Sequence, residues 1–77
     1  MEAKQTRYAE LAYIRRVLIK VPVQEMADLL GVNKETYLRS ERGDRDITLE
    51  EAVKIAHKFK MTLEEVFPKF FNQNVAI

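Results

Sequence analysis

Apolar positions along the chain recur at three- and four-residue intervals, and the two-residue alternation of half-buried strands is scarce. Tyr8, Leu11, Ala12, Ile14, Leu18 and Ile19 form a broad apolar face that predicts a first helix from about Thr6 to Ile19. Val21 and Pro22 break it, with Pro22 suited to the first turn of the next helix. The second helix, QEMADLL, turns Met26, Ala27 and Leu30 inward and ends at Gly31, a natural C′ residue. Asn33 then caps a third helix reaching about Arg42, where Gly43 stops it.

Two further helices open with the same four letters. TLEE stands at 48 to 51 and again at 62 to 65. Each is a capping box, in which Thr accepts from the third backbone N–H and Glu accepts from the cap N–H. The repetition therefore reflects shared cap chemistry, not duplication. The fourth helix turns Leu49, Ala52, Ile55, Ala56 and Phe59 inward, and the short fifth contributes Leu63, Val66 and Phe67 before Pro68. The expected fold is all-α: five short helices in one domain over 1–69, then an apolar tail over 70–77.

Seventy-seven residues lie near the lower limit for a domain that folds alone, and a 47% hydrophobic content suffices for a small core. No cysteine is present, so no disulfide or thiolate metal site can form. His57 is the one histidine and has no second ligand at metal-binding spacing, which makes it a structural or surface residue. The charged start MEAKQTRYAE lacks the apolar core of a signal peptide, and no apolar run approaches the roughly 20 residues of a membrane span. These features point to a soluble intracellular protein without cofactor, metal or small-molecule ligand. Paired nucleophile and base, glycine-rich phosphate loop and carboxylate cluster are all missing from the sequence, so an enzyme is the poorest reading. Net charge is only +1. Residues 1–45 carry nine Lys and Arg against seven Asp and Glu, and residues 46–77 carry four against five, a weak bias toward a basic first half.

One stretch stands apart. GVNKETYLRSERG, residues 31 to 43, is a short helix between two glycines with few apolar residues. Small Ala27, turn-forming Gly31 and apolar Tyr37 have the offsets of a helix-turn-helix. Over residues 26 to 67, MADLLGVNKETYLRSERGDRDITLEEAVKIAHKFKMTLEEVF closely resembles the Cro and phage-repressor type of helix-turn-helix regulator, the xenobiotic-response-element family. The resemblance extends over about residues 8 to 67. It implies a lambda-repressor-like domain of five helices, with the helix-turn-helix at helices 2 and 3. It also implies a bacterial or phage-encoded cytoplasmic transcriptional regulator, commonly a repressor, that binds a two-fold operator in double-stranded DNA as a homodimer. Phage repressors, restriction-modification controllers and antitoxins share this layout.

Carried over without gaps, the resemblance implies a role for each residue. Asn33 caps the third helix, whose N-terminus favours a phosphate. Lys34 and Glu35 point at base edges, the first toward guanine and the second toward cytosine N4. Thr36 is placed for a phosphate or a thymine methyl, and Arg39 for a bidentate guanine contact. Arg42 and Arg45 are phosphate contacts that set register. Tyr37 is the buried anchor. Glu41 corresponds to an acidic residue that pairs with an arginine of the first helix, here Arg16 by gapless matching.

The sequence departs from the family pattern in three places. Pro22 and Val23 stand where Ser or Thr and a phosphate-clamping Gln are usual, which weakens the clamp or moves it to Gln24. Ser40 replaces a bulky apolar residue and Leu38 a small polar one, so that either the third helix is rotated or Leu38 touches a thymine methyl. Ile47 takes the place of a loop proline.

The tail has two readings. Phe70, Phe71, Val75 and Ile77 either close the core or, with Phe67 at their base, form a dimer interface. The dimer is preferred, because such a tail exceeds what a five-helix core needs. The rival to DNA binding is a protein-interaction module, an antitoxin or adaptor on the same fold, supported by the near-neutral charge and the displaced Gln.

Overall fold

A computed structural model describes residues 7–68. Among these the chain is entirely helical. Helix α1 spans Ala9–Tyr13 and continues as a π-helical segment, Ile14–Leu18. Then follow α2 (Val23–Leu30), α3 (Lys34–Arg42), α4 (Leu49–Phe59) and α5 (Leu63–Val66). Helix α2 packs on α3 and α4, α1 packs on α3 and α5, and α4 packs on α5. The expected tail, 70–77, lies outside the described residues, so Phe70, Phe71, Val75 and Ile77 have no structural account.

Local chemistry explains most helix ends. Thr48 and Thr62 accept from the N–H of Glu51 and Glu65, whose carboxylates accept from the two threonine N–H groups, so both capping boxes form. Asn33 accepts from the N–H of Thr36 at 2.8 Å. Gly31 and Gly43 end α2 and α3 with left-handed φ of 73° and 94°. Pro22 occupies the N-cap of α2, one residue before the helix proper. Lys20 and Lys60 also adopt positive φ, a conformation that costs a residue with a Cβ.

The core joins Tyr8, Leu11 and Ile14 to Met26, Ala27, Tyr37, Ile47, Ala52, Ile55, Phe59, Val66 and Phe67. Tyr8 and Phe67 meet edge to face with ring centroids 5.6 Å apart. Phe67 is thus sealed in its own domain, 1% exposed, and is not interface material. Ile47 is buried as well, and its N–H donates to the Tyr8 hydroxyl, so the loop after α3 is anchored without a proline.

Three residues expected inside lie outside. Leu18 and Ile19 are exposed because the first helix changes pitch. The Ile19 N–H donates to the Ile14 carbonyl five residues back, at 2.9 Å, and a π turn holds more residues than an α turn. The α-helical count that would place Leu18 under Ile14 therefore fails. Leu49, 55% exposed, is the first residue of α4, where no neighbouring element covers it.

The two glycines differ in what surrounds them. A Cβ at Gly31 would meet nothing within 4 Å, so its requirement is positive φ alone. A Cβ at Gly43 would lie 2.5 Å from the Arg7 Cβ, because the Arg7 and Tyr8 N–H groups bond to the Arg42 and Glu41 carbonyls. Urea unfolding should show Gly31→Ala costing about 1 kcal/mol and Gly43→Ala clearly more, on the order of 2–3 kcal/mol. Equal losses would mean that the Arg7 contact adds no constraint.

Candidate nucleic-acid interface

Helix α3 is only nine residues long, and its residues divide sharply by side. At about 100° per residue, Tyr37, Ser40 and Glu41 share one face, and all three are buried. Glu35, Arg39 and Arg42 occupy the opposite face and are exposed, and Lys34 is exposed in the first turn of the helix. Lys34, Glu35 and Arg39 form no ion pair among the described residues. Asn33 is exposed at the helix start, and Thr36 is half-buried beside it. Asn33, Lys34, Glu35 and Arg39, which the gapless reading assigns to DNA, are thus all solvent-exposed.

The inner face is held by a buried polar network. Arg15 Nε and Nη2 both donate to the Glu41 carboxylate, the latter to Oε1 at 3.3 Å, and the pair is under 10% exposed. The Tyr37 hydroxyl donates to Glu41 Oε2 at 2.7 Å, and Arg15 Nη1 donates to the Val21 carbonyl at 3.2 Å. Burial drives the Tyr37 pKa upward, reinforced by the Glu41 charge beside it, so the hydroxyl stays protonated as a donor. The Glu41 hydrogen bond likewise raises Arg15, outweighing desolvation.

The expected partner of Glu41 was Arg16, and this is corrected to Arg15. Arg16 is exposed. Gapless counting back from α2 assumes α-helical pitch, whereas the π segment takes up an extra residue between Arg15 and the turn. The adjacent arginines were visible in the sequence, but the change of pitch that selects between them was not.

Three other assigned residues have partners within the protein. Arg45, expected on a phosphate, turns back onto the protein. Its Nη1 donates to Ser40 Oγ at 2.8 Å, and its two terminal nitrogens grip Glu51 at 3.3 and 2.9 Å. Leu38 is half-buried against the core, where it borders the inward face. Gln24 is exposed on α2, where its Nε2 donates to Asp28 Oδ1 at 2.8 Å. Arg42 stays on the surface in a loose pair with Asp44 at 3.3 Å, an interaction worth little in water.

A helix-turn-helix family model matches residues 11–66, well over half of the chain. The chain belongs to the Cro/C1-type helix-turn-helix family. The family's members are DNA-binding transcriptional regulators, and α2 and α3 form its helix-turn-helix. No curated protein and no solved structure gives a match. Among the described residues, no helix is long and apolar enough to cross a membrane, and no group of three or more His, Cys, Asp or Glu could hold a metal ion.

Two measurements follow for the groups that seat α3. Arg15→Met leaves the Glu41 charge buried without its partner, so thermal unfolding should register a loss of about 3–5 kcal/mol, against next to nothing for Arg16→Met. A comparable loss from Arg16→Met would reverse the correction. The second concerns acid. Burial pushes the Glu51 carboxyl up, but hydrogen bonds from Arg45 and Thr48 outweigh it and hold the pKa below the usual 4.5. A lowered folded-state pKa stabilises the protein above that range, and the benefit disappears as pH falls through the folded value. Urea midpoints of Glu51→Gln should therefore change less between roughly pH 5 and pH 3 than those of the natural protein. Parallel acid limbs would contradict the lowered pKa.

Proposed function

We propose that this regulator binds a specific double-stranded DNA sequence by inserting α3 into the major groove, and acts as a homodimer on a two-fold operator, most simply as a repressor. The observation carrying this reading is the two-sided build of α3. Its inner face is locked by Tyr37, Ser40 and Glu41, while Lys34, Glu35 and Arg39 are exposed and have no ion pair among the described residues. A rigid helix with uncommitted donors and an acceptor on one side suits base-edge readout, in which guanine takes Arg or Lys and cytosine donates to Glu. Asn33 and Arg42, at opposite ends of the helix, are placed to flank it with phosphate contacts. Gln24 supplies a clamp only by giving up Asp28.

The dimer rests on a separate argument. Phe67 already closes the core, so the apolar residues Phe70, Phe71, Val75 and Ile77 exceed what one domain needs. A single domain covers one half-site, and two-fold pairing supplies the second about one DNA turn away. Repression would follow from occlusion of a promoter.

A protein-interaction module on the same fold is the second reading. It is favoured by the net charge of +1, by the engagement of Gln24 with Asp28, and by the exposed Tyr13, Val17 and Leu18 on the first helix.

Selection of bound sequences from random DNA tests both readings. An enriched site with two-fold symmetry is expected, with affinity falling by orders of magnitude as salt rises, because phosphate neutralisation releases counterions. Arg39→Ala should remove preference at one base pair per half-site, a loss of about 1–3 kcal/mol in discrimination. No enrichment, or an affinity indifferent to salt, would favour the protein-interaction module instead.

A further inference from the structure

The loop after α3 holds a second polar relay, distinct from the Arg15 network, and it begins on α3 at Ser40. This serine is fully buried although its side chain is too small and too polar to fill an apolar slot. Its hydroxyl donates to the Thr36 carbonyl one turn earlier, at 3.2 Å, and accepts from Arg45 at 2.8 Å. Arg45 is held in turn by both oxygens of Glu51. The same Glu51 carboxylate accepts the Thr48 N–H at the start of α4, at 3.2 Å. A continuous chain of hydrogen bonds therefore runs from the middle of α3, through the loop, to the cap of α4.

We infer that Ser40, Arg45 and Glu51 are positioning residues that set the seat of α3 and thereby its base preference; the inference rests on the DNA-binding reading above. The relay acts at Thr36 and Ser40, which bracket Arg39, the outward residue with the most demanding geometry. A bidentate guanine contact tolerates little displacement, because two parallel hydrogen bonds must form at once. Arg45 suits the task because its planar fork engages Glu51 with two nitrogens while one of them also reaches Ser40. The arrangement also removes Arg45 from the phosphate backbone: with Glu51 at 2.9 Å, its charge is already neutralised inside the protein. Specificity thus depends on residues that touch no base.

The test compares Ser40→Ala, Glu51→Gln and Arg45→Gln with the natural protein, each first shown to be folded by circular dichroism. Glutamine at 51 retains an oxygen for the Thr48 N–H but loses the charge that holds Arg45. Charge alone predicts tighter DNA binding by Glu51→Gln, since a negative group is removed. The positioning role predicts the opposite for the selected site: the ratio of preferred to substituted sequence at the Arg39 base pair falls on the order of five- to tenfold in each variant. Combining Ser40→Ala with Glu51→Gln should add little, as expected for members of one chain. Arg45→Gln should leave the slope of affinity against salt unchanged.

Unchanged base preference in Ser40→Ala and Glu51→Gln overturns the inference. So does a salt slope reduced by about one in Arg45→Gln with preference intact, because Arg45 would then be a phosphate contact. In the DNA-free protein, slowly exchanging Arg45 guanidinium protons in NMR spectra should be present, and should be lost in Glu51→Gln; their absence from the natural protein also overturns it. A natural protein that selects no DNA, yet shows those protons, identifies failure of the operator reading itself and leaves the relay a purely structural bond.

Discussion

The buried contact between Arg15 and Glu41 is the constraint from which the rest of the domain follows. It joins the first helix to α3 across 26 residues of sequence, and Tyr37 adds a third member from α3 itself. A short helix rich in Lys, Glu, Arg and Ser has little apolar surface with which to bind its own domain, so hydrophobic burial alone would hold it loosely. The charged network supplies orientation that apolar contacts lack, because hydrogen bonds are directional. The same charges are expensive to bury, which explains why Arg15 and Glu41 are each multiply bonded.

That constraint reaches into the local geometry of the first helix. A pitch change at Ile14–Leu18 brings Arg15 to Glu41 and lets its remaining nitrogen reach the Val21 carbonyl, which steers the chain toward α2. The consequence is that Val17, Leu18 and Ile19 point outward, a cost in exposed apolar surface. Helices α4 and α5 show the contrasting strategy. Their capping boxes satisfy the exposed N–H groups locally, and the apolar face of α4 does most of the packing.

Around α3 the two strategies meet. Its start is capped by Asn33 and its end by Gly43, so its length is set by neighbouring residues alone. Its inward face carries both polar systems, the Arg15 network at Tyr37 and Glu41 and the Arg45–Glu51 relay at Ser40. Gly43 lies between them, where the backbone of Arg7 and Tyr8 comes so close that a side chain would not fit. So anchored on its inward face, the helix leaves Lys34, Glu35 and Arg39 exposed to solvent.

Helix number, caps and stops were legible in the sequence because they depend on residues within four positions of one another. Asn33, the two TLEE boxes and the two glycines act through bonds of that range. Helical spacing from Tyr37 likewise places Glu35 and Arg39 away from the core, and all of Lys34, Glu35 and Arg39 are exposed. What the sequence left open depended on contacts between distant segments. Arg15 rather than Arg16 meets Glu41 because of a pitch change that no local pattern announces. Arg45 pairs with Glu51 across the loop that carries buried Ile47, six residues on and beyond the range of a helical turn. Phe67 belongs to the core because Tyr8, 59 residues away in sequence, lies against it. Periodicity assigns faces to a helix, but which of two adjacent charges finds its partner is decided only when the helices pack.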